Sequence, residues 1–372
     1  MSFGKGFFGK RSTTNLSKIE TTFYSKRIVE KKERKILPMI NESFKIAIDI
    51  GYGQVKGLSS LGGRVCFPSV SAPAPVDPLG EAFGTRTSHL TAVRVPEGPK
   101  VERLVGEAAL RSLAATSTLT REKPVDLHDL FLVTAAYLLS PDTGVPPTVR
   151  SPKLSVGLPL AYYRAQKGDL KKRLSGLAAY VSVDGGPERW VSFAGVIVLP
   201  QGAGVALAEA GSLPDGLVGV VDVGTYTTDY LLLEVSGGRP MPLADACGSV
   251  EMGVHLITRA VAEAFQAATG APLPAWAEKR ALEKAARGET LKFSGRDVDL
   301  TAAFRPAVRD AAAGIAQRVL AAWGNRAPFV ELTLLAGGGA ILLQDYLEKA
   351  LPCARIVEDP VFANCRGYLA VL

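Results

Sequence analysis

One pattern occurs twice and constrains this chain more than any other. An apolar strand runs into an aspartate, a glycine follows two positions later, a short polar turn intervenes, and a second apolar strand leaves. The first copy occupies Ile46–Leu58 and contains DIGYGQVK, Asp49 to Lys56. The second occupies Leu217–Val235 and contains DVGTYTTD, Asp222 to Asp229. A hairpin turn with glycine lets backbone amides approach an anion, because no Cβ stands in the way. Around the two hairpins, strand-like and helix-like periodicities alternate, which predicts an α/β chain of two lobes. At 372 residues the chain is long enough for each lobe to have its own core.

The intervening segments fill in the lobes. Pro68 to Pro78 reads as a surface excursion. Helices are predicted over Val101–Ala115 and Asp126–Leu139, the latter capped by Asp126. Leu154–Val156 is a strand ending in Gly157-Leu158-Pro159, Arg164–Ala179 a polar helix, and Trp190–Leu199 another strand. Gln201 then opens a helix of small residues through Ala210. In the second half, helices fit Glu251–Thr269, Ala275–Ala286 and Thr301–Trp323. A strand fits Glu331–Leu335 and a helix Ala340–Leu347.

Charge and composition remove several function classes. The chain carries 43 Lys and Arg, 36 Asp and Glu, and a formal net charge of +7. That excess sits in the first 45 residues, so the body offers no global positive field for nucleic acid. Residues 1–43 read as a basic extension; Phe3, Phe7 and Phe8 beside Lys5, Lys10 and Arg11 give it the alternative of a membrane or partner anchor. Met39, just before the first folded strand, is an alternative start. The richest apolar stretches, Leu217–Val235 and Ala327–Leu343, are interrupted by Asp222, Asp229 or Glu331, so stable membrane insertion is not expected. Four scattered cysteines without a CxxC, and three histidines, argue against a zinc cluster and for a reduced, cytoplasmic chain.

Three segments carry the chemistry. In the first hairpin, Asp49 can hold a hydrated Mg²⁺ and Lys56 can reach a phosphate, with Gly51, Tyr52, Gly53 and Gln54 forming the tip. In the second, Gly224, Thr225, Tyr226, Thr227 and Thr228 can cradle phosphates through hydroxyls and amides. Asp222 and Asp229 there can bind a hydrated cation or orient water. The third, LLAGGGAILL, places Gly337, Gly338 and Gly339 between a strand and a helix, where a base or sugar can approach closely. No GxxxxGK[ST] is present, so this is not a P-loop. Lys279, Arg280 and Lys284 could reach the nucleoside, but i,i+4 pairing on a solvated helix explains them better. His128 and His255 need no catalytic role.

The ordered set resembles the actin, Hsp70 and sugar-kinase superfamily, and is most similar to the bacterial and archaeal actin-like plasmid-segregation ATPases of the ParM/StbA type. DIGYGQVK resembles the first phosphate hairpin and Gly157–Pro159 the first connecting segment. Pro200–Gly204 resembles the helix start whose Gln201 positions the attacking water. DVGTYTTD resembles the second phosphate hairpin, Ala336–Ala340 the adenosine segment, and Phe362–Val371 the closing helix. Gly253, with Glu251 nearby, resembles the second connecting segment or the helix that follows it.

The resemblance implies a two-lobed α/β fold with an interlobe nucleotide cleft. Lobe I would comprise 44–215 plus 341–372, and lobe II 216–340, with hinges near Gly157 and Gly211. It implies ATP as substrate, GTP remaining open, and Mg²⁺ held by Asp49 and Asp222 through water, with Asp229 sharing its hydration. It further implies filament formation by self-association, and a DNA-bound adaptor as partner. Tyr226 departs from the glycines usual at its position, so its ring must point away from the nucleotide or lie beside it. That departure motivates the alternative of a non-polymerising, nucleotide-dependent adaptor or scaffold with little hydrolysis. A small-molecule kinase would need a cleft carboxylate acting on an acceptor hydroxyl, and none can be placed. A chaperone of the Hsp70 type would need a separate substrate-binding module after Val371.

Overall fold

The structure is a computed structural model that describes residues 44–74, 89–117, 124–141 and 151–372; the basic extension lies outside the described residues. The first lobe is built on a sheet of β1 (Lys45–Ile50), β2 (Gln54–Ser59), β3 (Arg64–Pro68), β4 (Lys153–Leu158) and β5 (Gly195–Pro200). Its strand order is β5-β4-β1-β2-β3, with β1 parallel to β4 and antiparallel to β2. Helix α1 (Val125–Leu139) covers one face, and α2 (Leu160–Ser175) follows β4 directly.

β1 is buried on both faces, more completely than its apolar–polar alternation implied. Ile46, Ile48 and Ile50 pack into a core with Phe131, Leu132 and Ala135 of α1. Ala47 faces the other way, against Phe362, Cys365 and Tyr368. Asp49 shares that second face by the two-residue period of a strand, and it is buried.

A six-stranded antiparallel sheet elaborates this lobe. It includes Lys100–Val105, where the sequence reading expected a helix over Val101–Ala115. The strand wins because Lys100–Leu104 pair with Leu90–Arg94; Gly106, at φ 78°, then turns the chain into a single helical turn, Glu107–Leu110. Trp190–Leu199 likewise divides. Arg189–Val191 joins the second sheet and Gly195–Pro200 the first. The polar helix expected over Arg164–Ala179 runs over Leu160–Ser175, and Ala179–Val183 is a strand. Asp126 lies in the first turn of α1, whose N-cap is Pro124, so it is not the cap.

The second lobe repeats the plan. β6 (Gly216–Val223) and β7 (Thr228–Ser236) form the second hairpin, and β8 (Val330–Ala336) and β9 (Ala354–Ile356) extend the sheet in parallel. The chain reaches this lobe from the first through α3 (Ala203–Ala208), which precedes β6. The second lobe then adds α4 (Val254–Thr269), α5 (Ala275–Ala286), α6 (Thr301–Trp323) and α7 (Gly338–Ala350). Gly219 on β6 leaves the space that the Trp323 ring of α6 fills, since a Cβ there would lie 2.3 Å from the ring. The boundary expected at 341 moves, because α7 and β9 still belong to this sheet. The return to the first lobe comes later, with α8 (Ala363–Ala370).

α3 and α8 are the two crossings, and they meet backbone to backbone. A Cβ on Gly367 would come 1.8 Å from the Gly204 carbonyl, and one on Gly204 2.5 Å from that of Asn364. Of the expected hinges, Gly157 packs against the Tyr368 ring and Gly211 faces open space just beyond α3.

Candidate active site

Both hairpins close with the same bond. Gly51 N donates to Gln54 O at 3.0 Å, and Gly224 N donates to Thr227 O at 2.9 Å. In register, Asp49 stands opposite Lys56 and Asp222 opposite Asp229. Ser69 ties down the first tip, its hydroxyl donating to Gly51 O at 2.8 Å and its amide to Gly53 O at 3.0 Å. Gly253 packs on the second tip, where a Cβ would lie 2.7 Å from Gly224 O. The following amides of Val254 and His255 donate to the Gly224 and Thr225 carbonyls.

The floor between the hairpins collects the charges. Lys56 Nζ stands 3.4 Å from Asp49 Oδ2, and Gln201 Nε2 donates to Asp49 Oδ1 at 2.7 Å. Gln201 lies just before α3 rather than in its first turn. Gly202, at φ 83°, makes the corner between β5 and the helix. With its amide nitrogen committed to Asp49, the Gln201 carbonyl oxygen remains an acceptor for a water.

Asp222 has a matching carboxamide that sequence reading did not single out. Asn364 Nδ2 on α8 donates to Asp222 Oδ2 at 2.6 Å, and Asn364 Oδ1 accepts Gly202 N at 3.0 Å. The third segment arrives beside them. A Cβ on Gly337 would lie 2.5 Å from Asp222 Oδ1, and Gly339 packs on Val223, whereas Gly338 faces open space.

Electrostatics follow from this burial. Burial works to lower the Lys56 amine, but Asp49 and Asp222 outweigh it and leave its pKa raised. Burial raises the Asp222 carboxyl against the pull of Lys56, and pushes Asp229 up to about 7. Asp49 and Asp222 thus both act on one lysine, a donor set that fits an added cation. Among the described residues no three His, Cys, Asp or Glu side chains cluster closely enough to hold a bare metal ion. Asp49 and Asp222 are the carboxylates that a hydrated cation would meet on this floor.

Other expected residues lie elsewhere. Asp229 Oδ1 accepts Leu160 N at 3.1 Å and the Ser249 hydroxyl. Thr228 Oγ1 donates to Met252 O at 2.7 Å. The Tyr226 ring packs between Tyr52 and His255, with centroids 5.2 and 4.8 Å away, and its hydroxyl donates to Glu251 at 3.3 Å. Thr225 touches Gly53, so the two tips meet. Gln54 lies beside the Cys66 thiol at 3.7 Å. Lys284 pairs with Glu289 at 3.3 Å, five positions on and beyond the end of α5 rather than at i+4 within it, and Lys279 and Arg280 are exposed on α5.

A cavity of about 850 Å³ opens between α1 and α2, lined by Ile50, Tyr52, His128, Tyr162 and Arg173 among others. None of Asp49, Asp222 or Asp229 lines it, so it is adjacent to the charged floor rather than part of it.

Comparison with known proteins agrees with the architecture. An archaeal actin homolog from Thermoplasma acidophilum is 24% identical over 349 residues, 87% of this chain and 97% of the relative. A ParM filament structure from Clostridium botulinum superposes with a TM-score of 0.80 at 24% identity, over 89% of this chain and 99% of that one. The crystal structure of an archaeal actin homolog in complex with ADP gives 0.69 at 22% identity, over 88% and 98%. The family model for the N-terminal domain of actin-like proteins matches residues 47–204, and that for the C-terminal part of archaeal MreB-like actin homologues matches 220–349. These two matches divide where the chain passes from its first lobe to its second, and the chain belongs to the actin-like superfamily.

Proposed function

We propose that this protein is a Mg²⁺-dependent ATPase that assembles into filaments in its ATP state, serving DNA or plasmid segregation or another cytoskeletal task in the cytoplasm. The observation that carries the reading is the buried floor where Asp49, Lys56 and Gln201 meet Asp222 and Asn364 between two equivalent hairpins. ATP is the substrate favoured by the relatives, GTP the alternative to be tested. Mg²⁺, held through water by Asp49 and Asp222, would supply charge neutralisation for the phosphates.

The chain's own groups do the rest. Lys56 presents a fixed positive charge, and the tip amides can approach phosphate oxygens. Asp49 fixes the Gln201 carboxamide so that its oxygen accepts a water hydrogen. Glutamine is too weak a base to take the proton in the ground state, so its contribution is orientation, which suffices when the transition state is loose. Self-association rests on the ParM filament likeness; an open filament requires a head-to-tail, heterologous contact. A DNA-bound adaptor would connect it to cargo, since the body's charge is balanced.

The second reading, a non-polymerising nucleotide-dependent adaptor, is favoured by the contact of Tyr226 with Tyr52, which closes the hairpin tips on each other. Sedimentation and light scattering, with phosphate release measured on the same samples, decide between them. ATP is expected to raise sedimentable protein cooperatively above a critical concentration, with or without residues 1–38. Turnover without polymer over a broad salt, protein and nucleotide range would favour the adaptor.

A further inference from the structure

Asp229 occupies, in the second hairpin, the place that Lys56 holds in the first. A carboxylate there adds negative charge to a floor already holding two, and burial makes that costly. Its hydrogen bonds show what it does instead. Asp229 Oδ1 accepts the backbone N–H of Leu160 at 3.1 Å and the hydroxyl of Ser249. Leu160 is the first residue of α2 in the other lobe, and the residue before it, Pro159, provides no side-chain cap. The first-turn amides of a helix lack partners within it. Asp229 therefore caps α2 from across the cleft.

The capped turn reaches the water-positioning residue. Leu158, two residues before Leu160, accepts the backbone N–H of Gln201 at 2.7 Å, and the Gln201 side chain donates to Asp49 at 2.7 Å. A continuous bonded path thus runs from hairpin two through the β4–α2 turn to Gln201 and hairpin one. Ser249, paired opposite Asp229 on the neighbouring strand Gly248–Val250, fixes the carboxylate's direction.

We propose that Asp229 is an interlobe positioning residue. By capping α2 it holds the Gly157–Pro159 turn, and through it Gln201, in register with hairpin two. The inference rests on the ATPase reading for the role of Gln201, but the capping contact itself does not depend on it.

The test compares Asp229→Asn with Asp229→Ala in the full chain. Asparagine keeps an oxygen acceptor and loses the charge; alanine loses both. Capping requires Asp229→Ala to speed Leu160 amide hydrogen exchange by about tenfold or more in nucleotide-free protein, and Asp229→Asn to restore it. ATP turnover should fall about tenfold in Asp229→Ala with KM little changed, recover in Asp229→Asn, and fall less in Ser249→Ala. In a Gln201→Ala background the Asp229→Ala loss should largely vanish, because both act at one point.

Equal damage from asparagine and alanine would assign Asp229 a charge role and overturn the proposal, as would additive losses in the double variant or unchanged Leu160 exchange. If Asp229→Ala does not fold, the Asn and Ser249→Ala variants carry the same comparison. A wild type without turnover overturns the ATPase reading, and the cap then stands or falls on Leu160 exchange.

Discussion

The two hairpins share a backbone and differ in charge. Each has its aspartate at the end of the inner strand, the same closing bond across its turn, and a carboxamide on that aspartate: Gln201 on Asp49, Asn364 on Asp222. The residues opposite the aspartates are a lysine in one and a third aspartate in the other. A repeated backbone has therefore been given divided labour. The first hairpin presents a cation toward the floor, while the second turns its extra carboxylate away, onto the neighbouring lobe's helix.

Removing either inner aspartate should have the largest effect. Asp49→Ala and Asp222→Ala are each expected to lower Mg²⁺-dependent phosphate release by about a thousandfold, since both are proposed to organise one hydrated ion. Asp49→Ala should be the worse of the two, because it also frees Gln201. Steady-state phosphate release over a Mg²⁺ titration measures this, and near-normal turnover in both variants would sink the assignment.

Next in size is the carboxamide comparison. Gln201→Ala should slow turnover roughly 10²-fold while nucleotide affinity stays within about threefold, the signature of a contact made mainly in the transition state. Asn364→Ala should cost only about tenfold, since Asn364 orients Asp222 and the Gly202 amide without facing a water. Fluorescent-nucleotide titration beside single-turnover kinetics separates the two; equal losses of binding and rate in Gln201→Ala would make its role structural.

The smallest effect is one of stability. Burial raises Asp229 from its ordinary value to about 7 in the folded protein, so between about pH 4 and 7 the native state binds more protons than the unfolded one. Native stability should accordingly fall as pH rises through that window, by roughly a few kcal/mol at most. Urea midpoints of nucleotide-free protein at pH 5 and pH 8 should show the fall, and Asp229→Asn should flatten it. An unchanged slope in Asp229→Asn would assign the pH dependence to other groups.

The motifs were legible because each is local. A strand, an aspartate and a glycine turn fit within eight residues, and the helices Ala275–Ala286 and Thr301–Trp323 fall where their periodicity put them. What escaped was set by distant partners. Asn364 meets Asp222 142 positions away, and nothing near either announces the pairing. Asp229 was read only for its part in a cation's hydration, and its bond to Leu160, 69 positions upstream, could not be foreseen. Val101–Val105 read as the start of a helix because the strand that claims it, Leu90–Arg94, cannot be inferred from its own composition. The partners of the Tyr226 ring, Tyr52 and His255, likewise lie 174 and 29 positions away.

The crossing helix α8 sets an order on synthesis. Ala47, in the innermost strand of the first sheet, is covered by Phe362, Cys365 and Tyr368, which leave the ribosome after the whole second lobe. At ordinary elongation rates, roughly 15 to 60 seconds separate β1 from its cover. Through that interval the face of the first sheet that carries Ala47 and Asp49 lacks its cover. The first lobe therefore cannot complete its native packing until the second has been synthesised.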